Sequence, residues 1–301
     1  MTAQSVFQIL VILYTVTNMA SLGLELNLGA TMKSLRSARL VGLTLLWGWV
    51  VGPAFAVLLT KVLPLSEPHA VGLLVFSLAP VAPMVSLLAR RARSDMDFTA
   101  AVVPLAMVAT VGLLPLLAPW LMKGITLNAW SLAKPLLLLV LLPLVVCAAI
   151  KAYAPPVADK LFPSVKRLAG ISTLLCLGWV VVFNFQDFID TLGSYAIGAE
   201  VLFLLGIALV SYRIGFGLKQ EQRSAMALAM ATRNGAPMLA VFTAFPDQDP
   251  RMLVMLLLSG PVPAIIALPL ARFFASRAGK PAAGQTDPQI HVGINTQFVE
   301  K

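Results

Sequence analysis

The chain has 301 residues, 22 Lys and Arg against 13 Asp and Glu, and a formal net charge of +9. Apolar residues make up 59% and charged ones 12%, with a mean hydropathy of +0.88. Ordinary soluble domains carry about 25% charged residues, so this composition argues against a water-soluble enzyme and for a bundle of membrane-crossing helices. In such a protein a basic balance is first explained by Lys- and Arg-rich cytoplasmic loops rather than by nucleic acid.

Polar and Pro-rich breaks divide the chain into nine apolar runs: 6–28, 40–63, 70–89, 98–121, 130–152, 168–188, 196–218, 224–245 and 252–274. Each is close to the roughly 20 residues a crossing helix needs, and the first reads as a retained span rather than a signal peptide. The fold expected is therefore an all-α polytopic membrane protein of nine transmembrane helices. The tail at 275–301 is polar and rich in Gly, Pro, Gln and Asp, and reads as a disordered cytoplasmic extension.

Charge orients the bundle. Only Lys61, Lys123, Lys134 and Arg251 fall on one side of the expected membrane, and Arg233 falls within a span. All other Lys and Arg lie in the loops after odd-numbered spans or in the tail, which places the N-terminus outside and the C-terminus in the cytoplasm. The expected location is the bacterial inner membrane. Cys147 and Cys176 sit in apolar runs, and His69 and His291 lie in a loop and the tail. Neither pair suggests a disulfide, a metal centre, a catalytic relay or a resident cofactor.

Two spans carry breaks near their middles: Pro80-Val81-Ala82-Pro83 in the third and Arg233-Asn234-Gly235-Ala236-Pro237 in the eighth. Proline removes a backbone donor and clashes with the preceding turn, and backbone freed in this way must be buried in protein or line a wet cavity. The breaks are five spans apart, so the two helices run in opposite directions. Paired interrupted helices in inverted halves point to a transporter's midplane site; ordinary proline kinks are the alternative.

All 13 acidic residues are read as lying at span ends, in loops or in the tail. Arg233 is then a deeply placed cation without an acidic partner, at a cost of at least about 2.5 kcal/mol. It is read either as an anion site, helped by half-helix N-termini after Pro83 and Asn234, or as a tie for the carbonyls of the break. Thr232, Asn234, Ser77, Ser86 and Thr99 are polar residues near the breaks, and Thr17, Asn18 and Asn184 are further candidates to face a cavity. Met19, Trp47, Trp49, Met84 and Met238 are candidates for an apolar wall.

The run Met19-Ala20-Ser21-Leu22-Gly23-Leu24-Glu25-Leu26, the basic loop after it and Gly52-Pro53 resemble the bile acid:sodium symporter family over roughly residues 6–274. The resemblance implies two inverted repeats with crossing broken helices and nine spans in members that lack the first helix. It also implies a core (spans near 70–121 and 224–274), a panel (spans near 6–63 and 130–218), and alternating access to a substrate between them. Gapless matching sets Pro80-Val81-Ala82 on the family's Pro-Gly-Gly, Val85-Ser86 on Ser-Asn, and Thr99 and Val103 on the Ser and Thr ligands. Ala229 then stands where the family has Glu, Arg233-Asn234 where it has Gln-Asn, and Gly48 where it has Gln.

These departures remove oxygen ligands from the sodium positions and insert a cation. Like charges roughly 4 Å apart repel by about 4 kcal/mol at an effective dielectric of 20, nearly three powers of ten in affinity. The expected function is a sodium-independent secondary carrier of an organic anion, a carboxylate or sulfonate, acting as monomer or homodimer. Arg233 would attract the anion, with Pro83 and the polar residues above around it. A sodium symporter with a rearranged site and a non-transporting receptor are the alternatives.

Overall fold

A computed structural model describes residues 3–26, 28–122, 128–245 and 249–278. Every regular element among them is helical. Seven helices are long and apolar enough to cross a membrane: Ser5–Glu25, Ala38–Val62, Met96–Leu121, Ala129–Tyr153, Pro155–Phe183, Ala196–Arg213 and Pro250–Arg277. The chain is an integral membrane protein. The other two expected runs, 70–89 and 224–245, are each broken into short helices.

In chain order, α1 is Ala3–Glu25 and α2, Leu28–Leu35, lies in the first basic loop. The next span joins α3 (Ala38–Leu45) to α4 (Gly52–Val62) through a π-helical stretch, Leu46–Val51. The third run is α5 (Glu67–Ser77) and α6 (Val85–Arg91), followed by α7 (Met96–Leu121). Next, α8 (Ala129–Pro135) meets α9 (Leu142–Tyr153) through a second π-helical stretch, Leu136–Leu141. Then come α10 (Pro155–Phe183), α11 (Phe185–Leu192) and α12 (Ala196–Arg213). The eighth run is α13 (Gln220–Ala231) and α14 (Ala236–Phe242); α15 (Pro250–Leu258) and α16 (Pro261–Arg277) complete the chain.

Local chemistry explains these boundaries. Both π-helical stretches run into a proline, Pro53 or Pro143, at the start of the following helix. A proline ring crowds the carbonyl four residues earlier, and a wider turn relieves that clash. Pro155-Pro156 starts α10 well before the expected span at 168, because proline is pre-organised for a first helical turn. Lys160, Lys166 and Arg167 therefore ride on a helix rather than in a loop, and Lys166 pairs with Glu25 at 3.1 Å. The same span stops at Phe183, short of the expected 188. Asp249 caps α15 through the Arg251 amide at 2.8 Å, and its side-chain hydrogen bond with Arg251 holds its carboxyl below the usual carboxylate range. Helix α16 runs to Arg277, into the first residues of the expected tail; the remainder of that tail, residues 279–301, lies outside the described residues.

Packing groups the helices around the broken runs. Helix α1 lies against α9 and α10 and touches α14, whereas α12 packs on α13, α16, α4 and α5. The second span and α12 are thus in direct contact with the interrupted helices. Glu200, read from sequence as lying at a span end, is in the second turn of α12 and is fully buried there. Its helical register with Ala196, Phe203 and Ile207, all buried, puts it on the packed face.

Candidate functional site

The two breaks meet. Val81 and Arg233 form an isolated antiparallel β-bridge. The Ala82 amide donates to the Thr232 carbonyl at 3.0 Å, and the Asn234 amide donates to the Pro80 carbonyl at 2.8 Å. Each break therefore satisfies backbone groups that the other has freed, which is the condition for non-helical backbone at membrane depth.

Arg233 is the largest fully buried side chain, 1% exposed. Its Nη1 donates to the Ala79 carbonyl at 2.8 Å, and its Nη2 lies 3.7 Å from the Met230 sulfur. Its Nε has no hydrogen-bond partner among the described residues. The Phe203 ring of α12 lies 6.0 Å from the guanidinium carbon, within cation–π range. The second span approaches from another side through small residues. A Cβ on Gly48 would lie 3.9 Å from Nη1, and one on Gly52 would lie 3.3 Å from Nη2. Gly48 belongs to the π-helical stretch, and the indole nitrogens of Trp47 and Trp49 beside it are also buried without a partner. Buried polar groups of this kind are nearly always satisfied. Among the described residues three such nitrogens have no partner, on Arg233 and on the segment that flanks it.

The expected polar residues separate into groups. Thr232 is buried, but its hydroxyl donates to the Leu228 carbonyl of its own helix at 2.8 Å. Asn234 is half-buried and its Oδ1 accepts from the Ala236 amide at the start of α14 at 3.1 Å. Ser86 and Pro83 lie half-buried at the start of α6, where the Ser86 amide donates to the Pro83 carbonyl at 3.1 Å. Thr99 is held by the Asp95 carbonyl in the first turn of α7. From the same helix it is Thr110, eleven residues and about 16 Å further along, that donates to the first break at the Leu78 carbonyl, 3.0 Å away.

Thr17 and Asn18 face α10: Thr17 and Ser172 share a hydrogen bond at 2.9 Å, and Asn18 donates to Thr173 at 3.2 Å. Thr15, two residues before, is the α1 residue that reaches a break, donating to the Ala236 carbonyl at 3.2 Å. Asn184 marks the α10–α11 junction and donates to Val180. Among the positions that gapless matching sets on the family's ligands, Val85, Val103 and Ala229 are buried and present no side-chain oxygen. Met19, Trp47, Trp49 and Met238 are buried, and Met84 is half-buried.

Helices long and apolar enough to cross a membrane, two further runs being broken and tied together around a buried arginine, define a polytopic membrane protein. The chain belongs to the Sodium Bile acid symporter family, whose model matches residues 11–191. It is also similar to the probable sodium/metabolite cotransporter BASS3, chloroplastic, of Arabidopsis thaliana, with 22% identity over 265 residues. That match covers 86% of this chain and 61% of the relative, so the chain spans about three fifths of the relative's length. The first break lies inside the family match; Arg233 and the second break lie beyond it.

Proposed function

We propose that the protein is a sodium-independent secondary carrier of an organic anion, a carboxylate or sulfonate, which Arg233 binds electrostatically. The observation that carries this reading is a guanidinium 1% exposed, unpaired with any carboxylate among the described residues and with its Nε free. A buried charge in that condition calls for a compensating partner, and an anion entering beside Gly48 would supply one. The Trp47 and Trp49 N–H groups are further donors on the approaching segment. Arg233 then carries the fixed positive charge that sodium supplies in the relatives.

Sodium coupling is the second reading, favoured by the names of the family and of the relative. Against it, three carbonyls of the first break each have one of their two lone pairs engaged by a hydrogen bond. Leu78 accepts from Thr110, Ala79 from Arg233 and Pro80 from Asn234. The spans near 6–63 and 130–218 would form the panel and those near 70–121 and 224–274 the core, moving against each other to open the site alternately to each side. The two would meet where α1 packs on α14 and α12 packs on α13. The N-terminus outside and the C-terminus in the cytoplasm of a bacterial inner membrane complete the reading.

The test is the melting temperature of the purified protein with methanesulfonate or benzoate, in sodium and in choline at equal ionic strength. A ligand at 100 times its Kd adds about 2.7 kcal/mol to the folded state. Equal stabilisation in both buffers is expected, and Arg233→Gln should weaken it at least about tenfold, or 1.4 kcal/mol. Anion stabilisation that requires sodium, or that survives in Arg233→Gln, would overturn the assignment.

A further inference from the structure

Glu200 has a role that anion binding at Arg233 does not use. Its side chain is fully buried on the packed face of α12, and neither carboxylate oxygen has a hydrogen-bond partner among the described residues. An ionised carboxylate buried without a partner costs several kcal/mol, and nothing among the described residues compensates it here.

The charged groups of the elements packed on α12 are occupied or exposed. Lys61 of α4, Glu67 of α5, Asp190 of α11, Glu221 of α13, and Arg272 and Arg277 of α16 are exposed. His69 of α5 is held between Ser66 and Thr191, at 2.9 and 3.1 Å. Arg251 of α15 is paired with Asp249, and Asp187 of α11 lies within electrostatic reach of Arg251. Arg223 of α13 donates to the Tyr212 and Arg213 carbonyls, and Arg213 of α12 itself is exposed.

Position gives the group meaning. Phe203, one turn along the same face, packs edge-on against Phe76 of α5 and lies 6.0 Å from the Arg233 guanidinium. The buried acid thus sits on α12, which packs on α13, and Arg233 sits in the break just after α13, with the Phe203 ring of α12 at the arginine end. We propose that Glu200 is a proton-binding site of the carrier, loaded while α12 is packed as here and unloaded to water when that seam opens during transport. Hydronium gives a proton to a carboxylate oxygen, leaving the neutral acid and water, and the return step reverses this; no electrons move. The inference rests on the carrier reading above, and it makes the proton, rather than sodium, the ion that accompanies the anion.

Infrared spectra of the full-length protein in vesicles test the site without any ligand. At pH 7 a carboxylic-acid carbonyl band is expected that shifts after transfer to D2O and is absent from Glu200→Gln, an isostere of the protonated acid. No band, a band that Glu200→Gln retains, or a band that never exchanges would each overturn the proposal. Coupling is then read with radiolabelled methanesulfonate, which stays ionised, in vesicles held in choline. A one-unit inward pH gradient should accumulate it up to about tenfold in wild type and not at all in Glu200→Gln. Equal accumulation in both overturns the coupling. Failure of wild type to bind or take up methanesulfonate and benzoate breaks the anion reading, while the infrared band still decides Glu200.

Discussion

The two breaks are chemically opposite. The first, between α5 and α6, contains two prolines and no charge, and it acts chiefly as an acceptor: the carbonyls of Leu78, Ala79 and Pro80 each take a hydrogen bond from elsewhere. The second, between α13 and α14, is chiefly a donor, through the Arg233 side chain and the Asn234 amide. A proline break exposes carbonyls that need donors, and an arginine can satisfy a carbonyl and still keep donors in reserve. The difference explains how Arg233 is both anchored and unspent. One bond to Ala79 fixes the guanidinium, and the remaining capacity faces the second span.

The largest effect should come from overfilling the donor side. A Cβ at Gly235 would collide with Ser259 Oγ and lie 2.9 Å from the Leu256 carbonyl. Gly235→Ala should therefore cost about 1–3 kcal/mol, read as a lower melting temperature in detergent. Next come the two hydroxyl ties. Thr110→Val frees the Leu78 carbonyl of the first break, and Thr15→Val frees the Ala236 carbonyl at the second. Each should lose about 1 kcal/mol. Thr15→Val alone should also change uptake rate in vesicles, since its bond joins α1 to α14 across the proposed moving boundary. The smallest effect on stability belongs to Gly48→Ala, whose new methyl makes an ordinary 3.9 Å contact with Nη1. Its melting temperature should match wild type within about 0.5 kcal/mol, while stabilisation by methanesulfonate falls because the methyl takes the space beside the guanidinium. Unchanged anion response in this variant would move the site away from the π-helical stretch.

The breaks were legible because proline and a lone deep cation are loud signals in an apolar run. Depth along a helix was quieter. Thr99 and Thr110 share α7, and family matching singled out Thr99, yet Thr110 lies at mid-span and is the one that bonds the break. Thr17 and Asn18 carried the expectation on α1, but helical register turns them towards α10 and leaves Thr15 to face Ala236. Glu200 was passed over by counting its distance from a span end. The spacing Ala196, Glu200, Phe203, Ile207 would have placed it on the packed face. The π-helical stretches have only Pro53 and Pro143 as a sequence trace, and proline starts many helices without one.

The hydrogen bond from Arg233 to Ala79 joins residues 154 positions apart in the chain. At roughly 5–20 residues per second of synthesis, the first break waits on the order of ten to thirty seconds for its partner to emerge. Throughout that interval the Ala79 and Pro80 carbonyls lack the donors that later hold them, whereas Thr110 reaches Leu78 much sooner. The first half of the protein is thus a half-finished object in the bilayer, dependent on water or on the insertion machinery until α13 arrives.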